Sequence, residues 1–427
     1  MESRWIINRQ DDLKWIIGSA IYSFIIVALF YFMVNIVQLN EVLAILIIFS
    51  IWAFIFDSTH LFVTYTRTYL DRQFRRLFSP IVYYSPVVLV VAPGMIVGYY
   101  LLAGKEVAYT FSILFQHFAL FYIYYHITRQ HWGFIALYAV KNGESDSVGR
   151  WVDAALMFFG MAYPFAYFLV YQFSIITELS HLSIAAWETL WFSFSFLGGF
   201  GMLISKHLER QGEHAAYIAE LLEKISGVLL FFVFLWWIFY KFGLEPSLVW
   251  MTRFFLVGFL TSVLLALIKL FIAWRKGYPL NKPKWLLIGA ALATHNIILH
   301  LPLPFPMAAA AVGIFHDLQY HRIIRFYNVN KYLVPGASRI HGFAVKITEK
   351  LSLLIIFACL YSLFLTIPRI ITHSVTFRDL LIHFLIAMVW GFGFHHYLLD
   401  GLIWRVRHDQ TLRHDLKLTV QNFSGQL

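Results

Sequence analysis

The sequence predicts an all-α, polytopic integral membrane bundle, on three observations. Of 427 residues, 60% are hydrophobic and only 13% charged, with a mean hydropathy of +0.69, which leaves too little polar surface for a water-soluble globule. The apolar residues fall into runs near the ~20 residues that cross roughly 30 Å of hydrocarbon. Lys and Arg collect in alternate connections between the runs, as the positive-inside rule requires of cytoplasmic loops.

Taken in order, about twelve spans are expected, over roughly 13–37, 41–63, 80–103, 107–140, 152–178, 184–205, 222–243, 247–273, 285–302, 306–323, 348–370 and 376–404. The first is too long for the core of a cleaved signal and has no small-residue cleavage site after it, so it reads as a retained span. The fourth is the longest. The tenth follows Pro302, Pro304 and Pro306, which interrupt any helix before it and leave a partly re-entrant path open. The basic connections carry Arg67, Arg72, Arg75 and Arg76, then Lys141 and Arg150, Lys206 and Arg210, Arg275 and Lys276, Arg322 and Arg325. The tail, with Arg405, Arg407, Arg413 and Lys417, falls on the same side. Both termini are therefore expected in the cytoplasm. Residues 1–427 read as a single transmembrane domain with no separate soluble domain.

Composition also limits the partners. The net charge of +10 sits beside the spans, which points to anionic lipid headgroups and not to nucleic acid. The single cysteine, Cys359, lies in an apolar run and forms no intramolecular disulfide. An integral, multi-pass location in a bacterial inner membrane or its equivalent is expected.

Eighteen histidines are the anomaly in such a chain, because ionisable groups at membrane depth are expensive to desolvate and by default mark function. His60 lies seven residues before Arg67, His131 ten before Lys141, His295 eleven after Lys284, and His316 nine before Arg325. His395 and His396 lie ten and nine residues before Arg405. At ~1.5 Å per residue all fall in one layer roughly 10–16 Å below the cytoplasmic boundary. His126 is a turn deeper and His321 a turn shallower. Asp57 with His60, and His396 with Asp400, are three and four apart and share helix faces, so each carboxylate suits a ligand or an orienter of its imidazole. By contrast His126/His131, His295/His300 and His316/His321 are five apart, about 140° around an ideal helix, so one of each pair faces a common centre unless a π-bulge intervenes.

A lone buried histidine is usually an interhelical hydrogen-bonding contact, and His117, His300 and His383 read that way. The whole set exceeds what packing needs, and neutral imidazole is the commonest nitrogen ligand of iron, copper and zinc. The expected ligands are His60, His126, His131, His316, His321, His395 and His396, with His295 as a further candidate. Asp57 and Asp400 are expected as ligands or orienters, and Arg129 as a partner for a carboxylate or an anionic headgroup.

The stretches "YHITRQH", "FHDLQYH" and "FHHYLLD" resemble the histidine motifs of the membrane-bound non-haem iron enzymes, the fatty-acid desaturases, lipid hydroxylases and carotene oxygenases. The resemblance covers these short motifs only. It implies non-haem iron, as a di-iron centre in that family, activating dioxygen against a C–H or C=C bond of a lipid, with iron ahead of copper or zinc. No nucleotide-binding motif and no cysteine cluster is present in the sequence, so electrons would come from an external reductase or ferredoxin-like donor, to which a basic cytoplasmic face is suited. Two other classes fit the same residues: a proton-coupled or metal-ion transporter, and a haem-bearing electron-transfer protein with axial histidines.

Overall fold

The computed structural model describes residues 4–144, 146–208, 213–374, 380–404, 406 and 409–418. Among them the regular structure is helical and no strand occurs. A helix falls on each expected segment. Helix α1 is a pair, Arg9–Ile17 and Ala20–Ile36, bent by 40°. It is followed by α2, Glu41–Arg67; α3, Ser79–Ala103; α4, Lys105–Lys141; and α5, Ser147–Gln172. Next come α6, Ile184–Leu208; α7, Glu213–Phe242; α8, Leu244–Arg275; α9, Lys282–His300; and α10, Phe305–Tyr332. Last are α11, Leu351–Ser374, and α12, Leu380–Ile403. The start of the twelfth expected segment, 376–379, and the anchors Arg405 and Arg407 lie outside the described residues.

Among the described residues seven helices, α2, α3, α4, α5, α8, α11 and α12, are long and apolar enough to cross a membrane, and α1 makes eight if its bent pair is one crossing. This is fewer than the twelve expected. Helices α9 and α10 are the instructive shortfall, since α9 carries Lys282, Lys284 and His295, and α10 carries "HDLQYHR" and Arg325. The polar residues that make them interesting are those that make them poor hydrocarbon-spanning sequences. Helix α4, at 37 residues, is about 55 Å long.

Four π-helical segments occur among the described residues, at Asp12–Ile17, Phe32–Ile36, Ala53–Asp57 and Phe168–Gln172. None falls between the paired histidines of α4, α9 or α10. The bulge that matters is at Ala53–Asp57 inside α2, where the Ser58 N–H bonds Ala53 O. It adds a residue to the turn just before His60 and resets the face that His60 and Thr64 present.

Helix α10 packs against α1, α2 and α4, and α12 against α2, α3, α4 and α11. Two glycines allow the closest of these approaches. A Cβ on Gly313 of α10 would stand 2.6 Å from the Trp52 ring, and one on Gly391 of α12 would stand 2.9 Å from the Leu89 carbonyl oxygen of α3. Helices α6 and α7 pack chiefly against each other.

At the basic end of the bundle Asp71 ties three segments together. Its carboxylate caps the Arg72–Leu77 helix through Gln73 N and Phe74 N, and accepts from Lys331 Nζ at 3.1 Å, Tyr332 Oη at 3.0 Å and His341 Nδ1 at 2.9 Å. Burial works to raise its pKa, but the Lys331 ammonium and the His341 bond outweigh it and hold the carboxyl below its ordinary 3.8.

Candidate metal centre

Four helices bring one imidazole each into one cluster: His60 from α2, His126 from α4, His316 from α10 and His396 from α12. Their ring centres form a closed circuit of 5.1 Å from His60 to His316, 5.0 Å from His316 to His126, 5.2 Å from His126 to His396 and 4.9 Å from His396 back to His60. Adjacent rings are inclined by 69–89°, so they do not stack. Donor atoms of His60, His316 and His396 lie within 4.8 Å of one another, as do those of His126, His396 and Asp400.

The nitrogens show why this is more than packing. His60 Nε2, His126 Nε2, His316 Nδ1 and His396 Nε2 are all buried without a hydrogen-bond partner, whereas buried polar atoms are nearly always satisfied. A cation shared among them would satisfy such nitrogens. With metal–nitrogen bonds of about 2.0–2.1 Å and the ring centre ~1.1 Å beyond, two imidazoles on one ion have centres at most about 6.4 Å apart, and all four sides fall within that reach. Asp400 Oδ2 offers a fifth donor, 3.6 Å from His396 Nε2 and 3.9 Å from His126 Nε2.

The surrounding groups fix the rings. Thr64 Oγ1 lies 2.7 Å from His396 Nδ1 and 2.7 Å from Tyr320 Oη, and Tyr320 Oη bonds Asp400 Oδ1. A carboxylate only accepts, so the tyrosine proton is committed to Asp400 and the Thr64 proton is shared between the tyrosine oxygen and, at 3.4 Å, Asp400 Oδ1. The threonine oxygen then accepts from His396 Nδ1–H. The bare lone pair of His396 is therefore on Nε2, toward the centre. On the opposite side His60 Nδ1 is 3.0 Å from Asp317 Oδ1, a charge contact off the line of a hydrogen bond, while Trp52 Nε1–H holds Asp317 Oδ2 at 2.9 Å. Carboxylates behind ligand histidines orient and polarise them in this way.

The other expected site residues do not join this ring. His395 faces away from its neighbour, with Nδ1 3.1 Å from Tyr65 Oη and Nε2 within 3.0–3.1 Å of Ser85 Oγ and Tyr69 Oη, so both nitrogens are occupied. His321 bonds Thr59 Oγ1 at 3.1 Å. His131 and His295 pair with each other, ring centres 5.5 Å apart. Asp57 is engaged by Arg369, although one of its oxygens lies within 4.8 Å of donor atoms of His60 and Asp317. Arg129 is exposed on the outer side of α4. The uniform helix of α4, α9 and α10 is the reason: without a bulge, residues five apart diverge. Counting from Lys141 put His131 at the right level and His126 a turn too deep, and it is His126 that enters the ring. His117, His300 and His383 bond Ile113 O, Asn296 O and Ser112 Oγ respectively.

Asp317, Tyr320 and Thr64 lie in stretches marked by their polarity in the sequence, but they acquire roles only here. Trp52 and Gly313 carry no signal of their own. Beside His60, His316 and Asp317 opens an apolar cavity of about 60 Å³, walled also by Ile127, Phe165 and Tyr397. Compared with known protein families, curated proteins and solved structures, the chain matches none.

Proposed function

We propose that this is a membrane-embedded, metal-dependent oxidoreductase, an oxygenase, hydroxylase or desaturase, acting on a lipid or other hydrophobic substrate with dioxygen. The observation that carries the reading is the ring of four imidazoles, each with a bare buried nitrogen, closed by Asp400. His60, His126, His316 and His396 would hold the ion, with Asp400 as a fifth donor. Iron stands ahead of zinc because a redox reaction needs a metal that changes valence, and ahead of copper on the resemblance of the histidine stretches to the non-haem iron enzymes; when bound, such an ion would supply one-electron chemistry toward dioxygen. A single circuit of near-equal sides favours one ion over the two implied by the family resemblance.

The residues of the chain supply the rest. His126, the least buried of the four with 12% of its side chain exposed, marks the side from which a substrate approaches. The apolar cavity excludes bulk water and is well above the roughly 10–15 Å³ that one water needs, but far below the ~300 Å³ of drug-sized ligand pockets. That scale suits a small apolar reactant and disfavours a haem. The Thr64–Tyr320–Asp400 chain holds a proton on Tyr320 Oη one bond from the carboxylate that faces the ligands, ready to be given up when charge builds there. In this reading all twelve helices are membrane-embedded, both termini are cytoplasmic, and the centre sits toward the cytoplasmic leaflet of a bacterial inner membrane or its equivalent. The exposed Arg72, Arg75, Arg76 and Arg339 then form a face for an acidic, ferredoxin-like donor or reductase.

Elemental analysis of the purified full-length protein tests this. About one redox-active metal per chain is expected, lost in His60→Ala and His396→Ala, with dioxygen consumption that depends on both a hydrophobic substrate and a reductant. Substoichiometric metal indifferent to both substitutions would overturn the proposal. Uptake of protons or metal ions into proteoliposomes without dioxygen consumption would favour the transporter.

A further inference from the structure

The four-ring centre does not use His131 and His295, yet both are fully buried and both keep bare nitrogens. His295 Nδ1 is 3.0 Å from Tyr124 Oη, and that hydroxyl is also 3.1 Å from Met161 O. A carbonyl only accepts, so the single tyrosine proton goes to Met161 O and His295 Nδ1–H donates to the tyrosine oxygen. This fixes the tautomer: His295 Nε2 has a lone pair and no partner. Gln319 is the side chain that leans on His131, neither ring nitrogen is in line for a full hydrogen bond, and with one nitrogen turned to Gln319 the other is left without a partner. The two rings stand 5.5 Å apart, inclined by 83°, with Phe315 4.6 Å from His131 on one side.

We propose that His131 and His295 form a second metal site, distinct from the four-histidine centre, that takes a soft monovalent cation, Cu(I). Two imidazoles bound at about 2.0 Å with centres 5.5 Å apart would enclose roughly 120° at the ion, the angle between two donors of a trigonal site, a geometry open to a monovalent copper ion. The charge argument selects the valence. Among the described residues no carboxylate pairs with either ring, and the burial cost of an uncompensated ion grows steeply with its charge. Neutral nitrogen donors among aromatic walls therefore favour a single positive charge, and Cu(I) is the biological transition ion that carries one. The cavity beside the centre is not lined by either histidine, so the pair is a separate place and not an extension of it.

The test is anaerobic titration of the purified full-length protein, first loaded with iron, with Cu(I) against a chromogenic Cu(I) chelator. One copper per chain is expected, with an X-ray absorption spectrum showing two nitrogen neighbours. His131→Leu and His295→Leu should each weaken it at least ~100-fold while the iron is retained, which shows that the fold survives. His131→Met, which offers a soft thioether, should keep the copper with one sulfur in place of one nitrogen. Copper binding that is absent, or unchanged in both leucine variants, would overturn the site and leave a bridging water as the partner of these nitrogens. The two proposals fail separately: loss of iron in His396→Ala with copper intact speaks only to the centre.

Discussion

His395 and His396 are consecutive residues of α12, equally deep and almost equally buried, at 2% and 0% exposure, and they sit in opposite kinds of place. His395 lies among Tyr65, Tyr69 and Ser85 with both nitrogens hydrogen-bonded. His396 has one nitrogen on Thr64 and the other bare, facing three more imidazoles and Asp400. Burial does not separate a structural histidine from a ligand. The account of its two nitrogens does: a satisfied ring is finished, and a half-satisfied ring held in one tautomer is waiting for a partner.

The most forceful way to break this contrast is to remove each ring in turn. His396→Ala is expected to abolish metal binding, to below about 0.1 ion per chain, because it removes one ligand and frees Asp400 from its neighbour. His395→Ala should leave the metal content unchanged and instead cost about 1–3 kcal/mol of stability, through the tyrosine hydroxyls left buried without a partner. Elemental analysis and thermal unfolding of the two variants side by side decide it. Equal loss of metal from both would erase the distinction.

A smaller effect sharpens the same point. Thr64→Val keeps the shape and removes the acceptor for His396 Nδ1–H, so metal affinity should fall by roughly 10–100-fold, the usual range for the groups behind a ligand histidine. Thr64→Ser restores the acceptor and should restore the affinity. If valine binds metal as well as serine does, the tautomer argument is wrong.

The smallest effect comes from far outside both rings. Asp71 has a folded pKa held below its ordinary 3.8, so its contribution to stability is present at neutral pH and disappears as pH falls through about 4 toward the lower folded value. Asp71→Asn should therefore lower the midpoint of thermal unfolding at pH 7, with the gap to the parent protein closing below pH 4, while the metal content at pH 7 stays the same.

Much of the fold could be read ahead of the structure, since apolar runs of the right length became helices at every expected segment. The number of crossings could not be read with the same ease. In α9 and α10 the charge of Lys284, His316, Asp317 and Arg325 competes with the apolar signal, and hydropathy is silent about polar groups that face inward. For the site, depth counted from basic anchors named both His126 and His131 and put His131 in the common layer with His126 a turn deeper, whereas it is His126 that joins the ring and His131 that does not. Rise along a helix is fixed by residue number, whereas direction around it depends on tilt and on irregular turns such as Ala53–Asp57, which no local residue pattern announced. Trp52 and Gly313 show the same limit from another side: a ring and the absence of a Cβ matter here because α2 and α10 meet, and meeting is a tertiary fact.

As a membrane span, helix α4 would exceed the ~30 Å of a hydrocarbon layer by some 25 Å, so that it would lean or stand proud of the bilayer with an inclination that follows lipid thickness. His126 rides on that helix, while the other three rings ride on shorter or bent ones. Thinner or thicker membranes would thus alter the two sides of the circuit that meet at His126 and spare the two that meet at His60, making acyl-chain length a tuning knob for the spacing of the rings.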